Sequence, residues 1–144
     1  GAMLTDQGII EGTAADTLRL RAALAPAVMI FADHAVKHAA PLAPYDPVQS
    51  AKDLRLRGLA DALIVTGAET GAAPDASRLQ LLAQAVDAPL LIGSGLNGEN
   101  ASMFEDADGA IVGTAIKFDS DVARSVDVRR VETIVRAFKA RGVR

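Results

Sequence analysis

Asp108-Gly109-Ala110-Ile111-Val112-Gly113-Thr114 runs as a helix exit, a short aliphatic segment and a loop of small residues. Upstream, Asp61-Ala62-Leu63-Ile64-Val65-Thr66-Gly67 repeats that pattern. Continuous apolar runs this short, bounded by turn residues, predict buried strands at 63–65 and 110–112. Pro89-Leu90-Leu91-Ile92 and Val28-Met29-Ile30-Phe31-Ala32 predict two more. Helical patterns lie between them. Thr13 is placed to cap a helix over about 14–24, and Asp46 followed by Pro47 is a cap and first-turn signal for a helix to about Arg57. A third helix over about 75–85 sets Leu79, Leu82 and Val86 on one face, and Asn97 is placed to cap a short helix through Glu105. The last, about 127–140, shows a stripe of Val128, Val131, Ile134, Val135 and Phe138 opposite Arg129, Arg130, Glu132, Arg136 and Lys139.

Strands alternating with helices imply an α/β fold with a parallel sheet and right-handed crossovers. The repeated βα modules favour the C-terminal half of a (β/α)8 TIM barrel: one domain over 1–144, four parallel strands and about five helices. Such a half leaves the inner sheet face and two strand edges bare, which is an association hazard. A two-fold homodimer that closes one barrel relieves it. The alternative is an open, flavodoxin-like layered sheet.

Composition narrows the function. The chain has 144 residues, half of them hydrophobic and only 3% aromatic, with no Trp, so the core is aliphatic. A net charge of -3, with charges scattered along the chain, leaves no basic footprint for nucleic acid. The absence of Cys excludes disulfides and thiolate metal sites and fits a reducing compartment. No apolar run approaches the roughly 20 residues of a membrane span, and the N-terminus does not read as a signal peptide. The expectation is a cytoplasmic protein. Gly1-Ala2-Met3 carries no weight on composition alone.

Gly93-Ser94-Gly95 follows the third strand and Gly113-Thr114 the fourth. Glycine lets backbone N–H groups approach a ligand, and Ser94 and Thr114 add hydroxyls. Asn97 opens a helix there, itself an anion site by its dipole. Loops after the last two strands are where many barrels hold phosphate. Gly93, Ser94, Gly95, Asn97, Gly113 and Thr114 are therefore the expected phosphate ligands, with Lys117 as a candidate cation. The bland alternative is a pair of tight βα turns.

A second polar cluster, Asp33-His34-Ala35-Val36-Lys37-His38, begins at the end of the first strand, where barrel enzymes keep their chemistry. Asp33, Lys37 and His38 are candidates for proton transfer. Two His and one carboxylate fall short of a metal ligand set, so no metal or cofactor is expected. The plain alternative is a capping Asp and solvent-exposed histidines. The stretch from Pro41 to Pro47 holds three prolines and reads as a stiff loop. Thr5-Asp6-Gln7-Gly8 with Glu11-Gly12 reads as a polar βα loop whose strand is absent, and Glu69-Thr70 as the loop after the second strand, with Glu69 solvated.

These same motifs carry a resemblance. Thr5-Asp6-Gln7-Gly8-Ile9-Ile10-Glu11-Gly12, Phe31-Ala32-Asp33 with Val36-Lys37-His38-Ala39, Gly93-Ser94-Gly95 and Ala107-Asp108-Gly109-Ala110-Ile111-Val112-Gly113-Thr114 resemble the BtpA family across nearly the whole chain. The first two are quite specific to it, and the last two are shared with many phosphate-binding barrels. The resemblance implies a full (β/α)8 barrel whose first four strands are not in this chain. It also implies a phosphate-bearing ligand near Gly93–Gly95 and Gly113-Thr114, with Asp6, Asp33, Lys37 and His38 around the same mouth. Gly1-Ala2-Met3 matches what precedes Thr5 in that family. A cyanobacterial member is implicated in photosystem I biogenesis, and others are labelled as sugar- or nucleoside-related proteins.

Three functions stay open on the sequence. One is an enzyme-type barrel for a phosphorylated sugar or nucleotide-like metabolite. Another is a non-catalytic assembly or biogenesis factor that keeps the pocket. The third is a half-barrel scaffold fragment without activity of its own.

Overall fold

Along the chain, a hairpin of β1 (Ala2–Thr5) and β2 (Gly8–Glu11) precedes α1 (Ala14–Leu24). Then come β3 (Phe31–His34), β4 (Ala39–Pro41), α2 (Pro47–Leu56), β5 (Ala62–Val65), α3 (Ala76–Ala85), β6 (Leu90–Ile92), β7 (Gly109–Ala110) and α4 (Val128–Lys139). Residues 1–35, 38–67 and 75–140 are described by this computed structural model.

β3, β5, β6 and β7 form one parallel sheet in that spatial order. A sequential order matters. With every crossover right-handed and in one direction, all helices fall on the same face, as in a barrel wall. A flavodoxin-like sheet instead reverses its strand order partway. The register aligns His34, Val65, Ile92 and Ala110 in one row and Asp33, Ile64, Leu91 and Gly109 in the next. Successive residues point to opposite faces. The face of His34, Leu63, Val65, Leu90 and Ile92 is fully buried, packed with Leu79 and Leu82 of α3, Ala51 of α2 and Ile134 of α4. On the other face Phe31 remains 51% exposed, Asp33 is exposed, and Ile64 and Leu91 are half-buried. The architecture is thus mixed α/β with four α-helices on a four-stranded parallel sheet, compatible with half a TIM barrel.

Several expectations change. The helix expected from Asn97 through Glu105 is only a 3-10 turn over Ala101–Met103, so the chain has four α-helices rather than about five among the described residues. The first strand runs over Phe31–His34, not 28–32, because Asp61 ties down Ile30 just before it. Thr5–Gly12 is not a βα loop. Ala2–Thr5 pairs antiparallel with Gly8–Glu11, Asp6-Gln7 form the turn, and Gly8 supplies a φ of 119°. Part of the expected Pro41–Pro47 loop is strand as well: β4 pairs with β1. Ala2 and Met3 therefore carry structure. Thr13 stands at the start of α1, but its hydroxyl makes no capping bond, whereas Asp46 caps α2 as read, and Asp75 and Asp127, expected as first helical residues, prove to be the caps of α3 and α4. On α4 only Ile134 is buried, and Val128 and Val135 stay exposed.

The internal repeat turns out to be a strand clamp. Asp61 Oδ2 accepts the Ile30 N–H at 2.7 Å while its own N–H donates to the Ile30 carbonyl, also at 2.7 Å. Asp108 does the same to Leu90, at 2.8 Å each way. Each aspartate holds the entry of the neighbouring strand, which sets the register and so the positions of the strand tips. Asp108→Ala should cost about 1–2 kcal/mol in urea denaturation by leaving the Leu90 N–H without its acceptor. Asp108→Asn keeps an acceptor and should recover most of that; equal losses in both variants would exclude the clamp.

Candidate functional site

Because β6 and β7 are parallel neighbours, their C-terminal tips come together. Gly93, Ser94, Gly95, Leu96 and Asn97 after β6 line one cavity of about 590 Å3 with Ile111, Gly113, Thr114, Ala115 and Ser120 after β7. The glycines differ in why they are glycine. A Cβ on Gly93 would run into the Thr66 hydroxyl and lie 2.7 Å from Ile64 Cγ2, so packing demands its absence. Gly95 has a φ of 76°, the left-handed region that disfavours a side chain. Gly113 has neither reason: its φ is -112°, and no atom lies within 4 Å of where a Cβ would stand. A side chain there would enter open space at a position that lines the cavity.

The loop above β6 is built by two asparagines. Asn97 Oδ1 accepts from the N–H groups of Glu99 and Asn100. Asn100 in turn accepts the Asn97 N–H and donates 2.9 Å to the Gly95 carbonyl. Asn97 thus closes an Asx turn rather than capping a helix, and the expected helix dipole is absent, since one 3-10 turn aligns too few peptides. Thr114 opens a 3-10 turn after β7, and its hydroxyl makes no hydrogen bond among the described residues. Lys117 does not line the cavity. It lies half-buried in a bridge to Val126.

The acid–base candidates are distributed differently. Asp33 is exposed on the open face of β3, in register with Ile64 and Leu91. At about 4.8 Å per strand, β3 stands about 10 Å from β6, within the span of a phosphorylated metabolite. His38 is exposed with a left-handed φ of 51° just before β4. Asp6 is exposed at the hairpin tip, on the antiparallel sheet rather than the parallel one. The fold therefore does not align Asp6 with Asp33 in one sheet. Lys37 lies outside the described residues, as do Glu69 and Thr70. Among the described residues no group of His, Asp and Glu has the makings of a metal site.

His34 overturns the solvent-exposed alternative. It is fully buried on the helix side of β3. Nε2 donates to the Pro47 carbonyl at 2.8 Å with the Tyr45 hydroxyl 3.1 Å away, and Nδ1 faces Arg78 Nη2 at 3.4 Å. These partners fit the neutral ring with its proton on Nε2. Burial pushes its pKa below the usual 6.5, the Pro47 bond pulls upward, and the Arg78 charge pushes down again. Strand alternation could have found this: with Asp33 facing out, His34 must face the helices.

A larger cleft of about 720 Å3 lies between α1 and α2, lined by Ala14, Leu18, Tyr45, Asp46, Asp53 and Arg57 among others. It reaches the end of β3 through Tyr45, which touches His34, but shares no lining residue with the cavity at the β6 and β7 tips. No helix among the described residues is long and apolar enough to cross a membrane.

Comparison with known proteins agrees with the motifs. The BtpA family profile matches residues 1–140. An uncharacterized protein of Methanocaldococcus jannaschii is 40% identical over 94% of this chain and 51% of its own. The photosystem I biogenesis protein BtpA of Synechocystis is 38% identical over 95% of this chain and 48% of its own. An uncharacterized Archaeoglobus fulgidus protein is 41% identical over 94% and 53%. The chain spans about half the length of these relatives. With its motifs in order and its profile matched over 140 residues, the chain belongs to the BtpA family.

Proposed function

We propose that this chain is a single (β/α)4 half-barrel unit, residues 1–144, that binds a phosphate-bearing metabolite at the tips of β6 and β7. The observation that carries the reading is Gly113, a glycine with no packing or backbone need, opening onto a cavity it shares with Gly93–Gly95. Backbone N–H groups of Gly95 and Gly113, with the Ser94 and Thr114 hydroxyls and Asn97, supply donors to the phosphate; the Gly93 N–H is already given to the Val65 carbonyl at 2.9 Å, so Gly93 contributes by leaving room rather than by donating. Lys117 stands outside that lining and would act at most through its field. Asp33, with Lys37, His38 and Asp6 from the neighbouring loops, would handle protons at the far end of the ligand.

The uncovered sheet face supports closure by a second copy of the chain into a homodimer. The cysteine-free composition supports a cytoplasmic setting. A second reading draws on the Synechocystis relative, whose name is that of a biogenesis protein. Here the pocket serves a non-catalytic assembly role.

Gly113→Leu tests the site. Inorganic phosphate should raise the melting temperature of the native chain and leave that of the variant unmoved. The variant's own melting temperature should stay within a few degrees of native, because its side chain enters open space. Gly93→Ala is the contrast: it should lose about 1–3 kcal/mol through overpacking against Ile64 and Thr66. An unchanged phosphate shift in Gly113→Leu would remove the site. Alanine at Asp33 abolishing turnover, once a substrate is in hand, would separate the enzyme from the assembly factor.

A further inference from the structure

The cavity at the glycine tips has no cation among its described lining residues. Beside it lies a second cavity of about 530 Å3, lined by Asn97, Gly98, Glu99, Ala115 and Ser120 on one side and by Arg129, Arg130, Thr133 and Ile134 of α4 on the other. Asn97, Ala115 and Ser120 belong to both linings, so the two spaces adjoin. Arg130 is aimed at that junction: its Nη1 donates 2.9 Å to Ser120 Oγ. Its Nε lies 3.8 Å from Asp127 Oδ2, an ion pair too long for a hydrogen bond. Asp127 is occupied, accepting the Arg129 N–H to cap α4. Among the described residues Arg130 Nη2 makes no hydrogen bond or ion pair. The formal charge of the lining is two guanidinium groups against the Glu99 carboxylate.

Resting on the phosphate reading above, we propose that Arg130, with Arg129, forms a second anion subsite joined to the first through Ser120, so that the ligand carries two anionic groups. The class is a small bisphosphate or a phosphorylated carboxylate. One group sits at the glycine tips and the other on the guanidinium fork. A planar fork suits a two-oxygen anion in a way an ammonium does not. This also accounts for the displacement of Lys117: the cation of the site comes from α4, not from the loop after β7.

Isothermal titration of propyl phosphate and of 1,3-propanediol bisphosphate at low salt distinguishes the two readings. The native chain should bind the bisphosphate at least tenfold more tightly than the monophosphate. Arg130→Ala should bring that ratio to about one, and Arg130→Lys should restore only part of it. Circular dichroism melts would establish that both variants are folded, and Arg129→Ala provides a second variant from the same wall, expected to lower the ratio. A native chain that binds the monophosphate with no bisphosphate advantage overturns the second subsite and leaves the first. An advantage that survives in Arg130→Ala overturns it too. Binding of neither probe overturns both.

Discussion

His34→Ala should destabilise the chain by about 3–5 kcal/mol, more than any surface substitution, as measured by urea denaturation. Two effects add. The ring is fully buried, so its removal leaves a void at the end of β3. It also strips partners from the Pro47 carbonyl, which begins α2, and from Arg78 Nη2. Arg78 Nε is already buried without a hydrogen-bond partner, so this corner has little polar compensation to spare. His34→Gln should fare better. It keeps an N–H for the Pro47 carbonyl and loses the ring volume and the acceptor toward Arg78.

The same residue gives stability a pH dependence of known sign. The folded pKa lies below 6.5, the unfolded one near it. The unfolded chain therefore takes up the proton first as pH falls. Stability from the neutral ring is fully present above pH 6.5 and is lost as pH drops through the folded value. Folding free energy should thus decline between pH 7.5 and 5.5 in the native chain and be flatter in His34→Gln. Parallel profiles in the two proteins would show that His34 is not the titrating group. The consequence is local to function, because His34, Tyr45 and Pro47 fasten the loop that follows Asp33.

The parallel sheet was readable because its strands are covered by helices on one side and end in small residues on the other. Leu63–Val65 and Leu90–Ile92 carry that signature in full. The hairpin was not readable for the opposite reason. Every residue of Gly8–Glu11 is exposed, so no burial pattern marks it, and Asp6-Gln7-Gly8 is turn chemistry that a loop shares. The echo of Asp61 in Asp108 was visible as a repeat, but its role depends on which strand lies alongside, a fact of topology. The glycine tips were legible as a pair. Their separate reasons were not, since packing against Thr66, a positive φ and an open cavity all write the same letter. Arg130 was hidden by its helix: periodicity assigns it to the solvated face of α4, and only the loop carrying Ser120 brings it to the cavity rim.

Phe31→Asp should raise the dissociation constant of the proposed homodimer by about two orders of magnitude or more. Phe31 is 51% exposed on the sheet face that no described helix covers, in register with the buried Ala62 and two residues below the level of the half-buried Ile64 and Leu91. Because Phe31 is already half covered, closing over the rest is worth about 0.8–1.5 kcal/mol, and a two-fold interface counts each substitution twice. The carboxylate adds its own desolvation cost. At 1.4 kcal/mol per decade these terms together reach about two decades or more. Because Phe31 is already half open, the folded chain loses little, so dissociation and unfolding stay separable. Leu24→Asp supplies the control. Leu24 is 75% exposed on α1, a helix with no buried residue, so general stickiness would respond to it more than to Phe31. Sedimentation should show Phe31→Asp as a monomer where the native chain and Leu24→Asp are dimers. If the native chain is monomeric at micromolar concentration, or if Leu24→Asp dissociates instead, the sheet face is not what a second copy covers. The sheet geometry leaves a narrow choice: Asp33 shares that face, one residue row above Phe31 and level with Ile64. Whatever closes over Phe31 must therefore leave Asp33 to water, a cation or a polar ligand. A mate that seals the lower rows and stays open at the strand tips meets that condition.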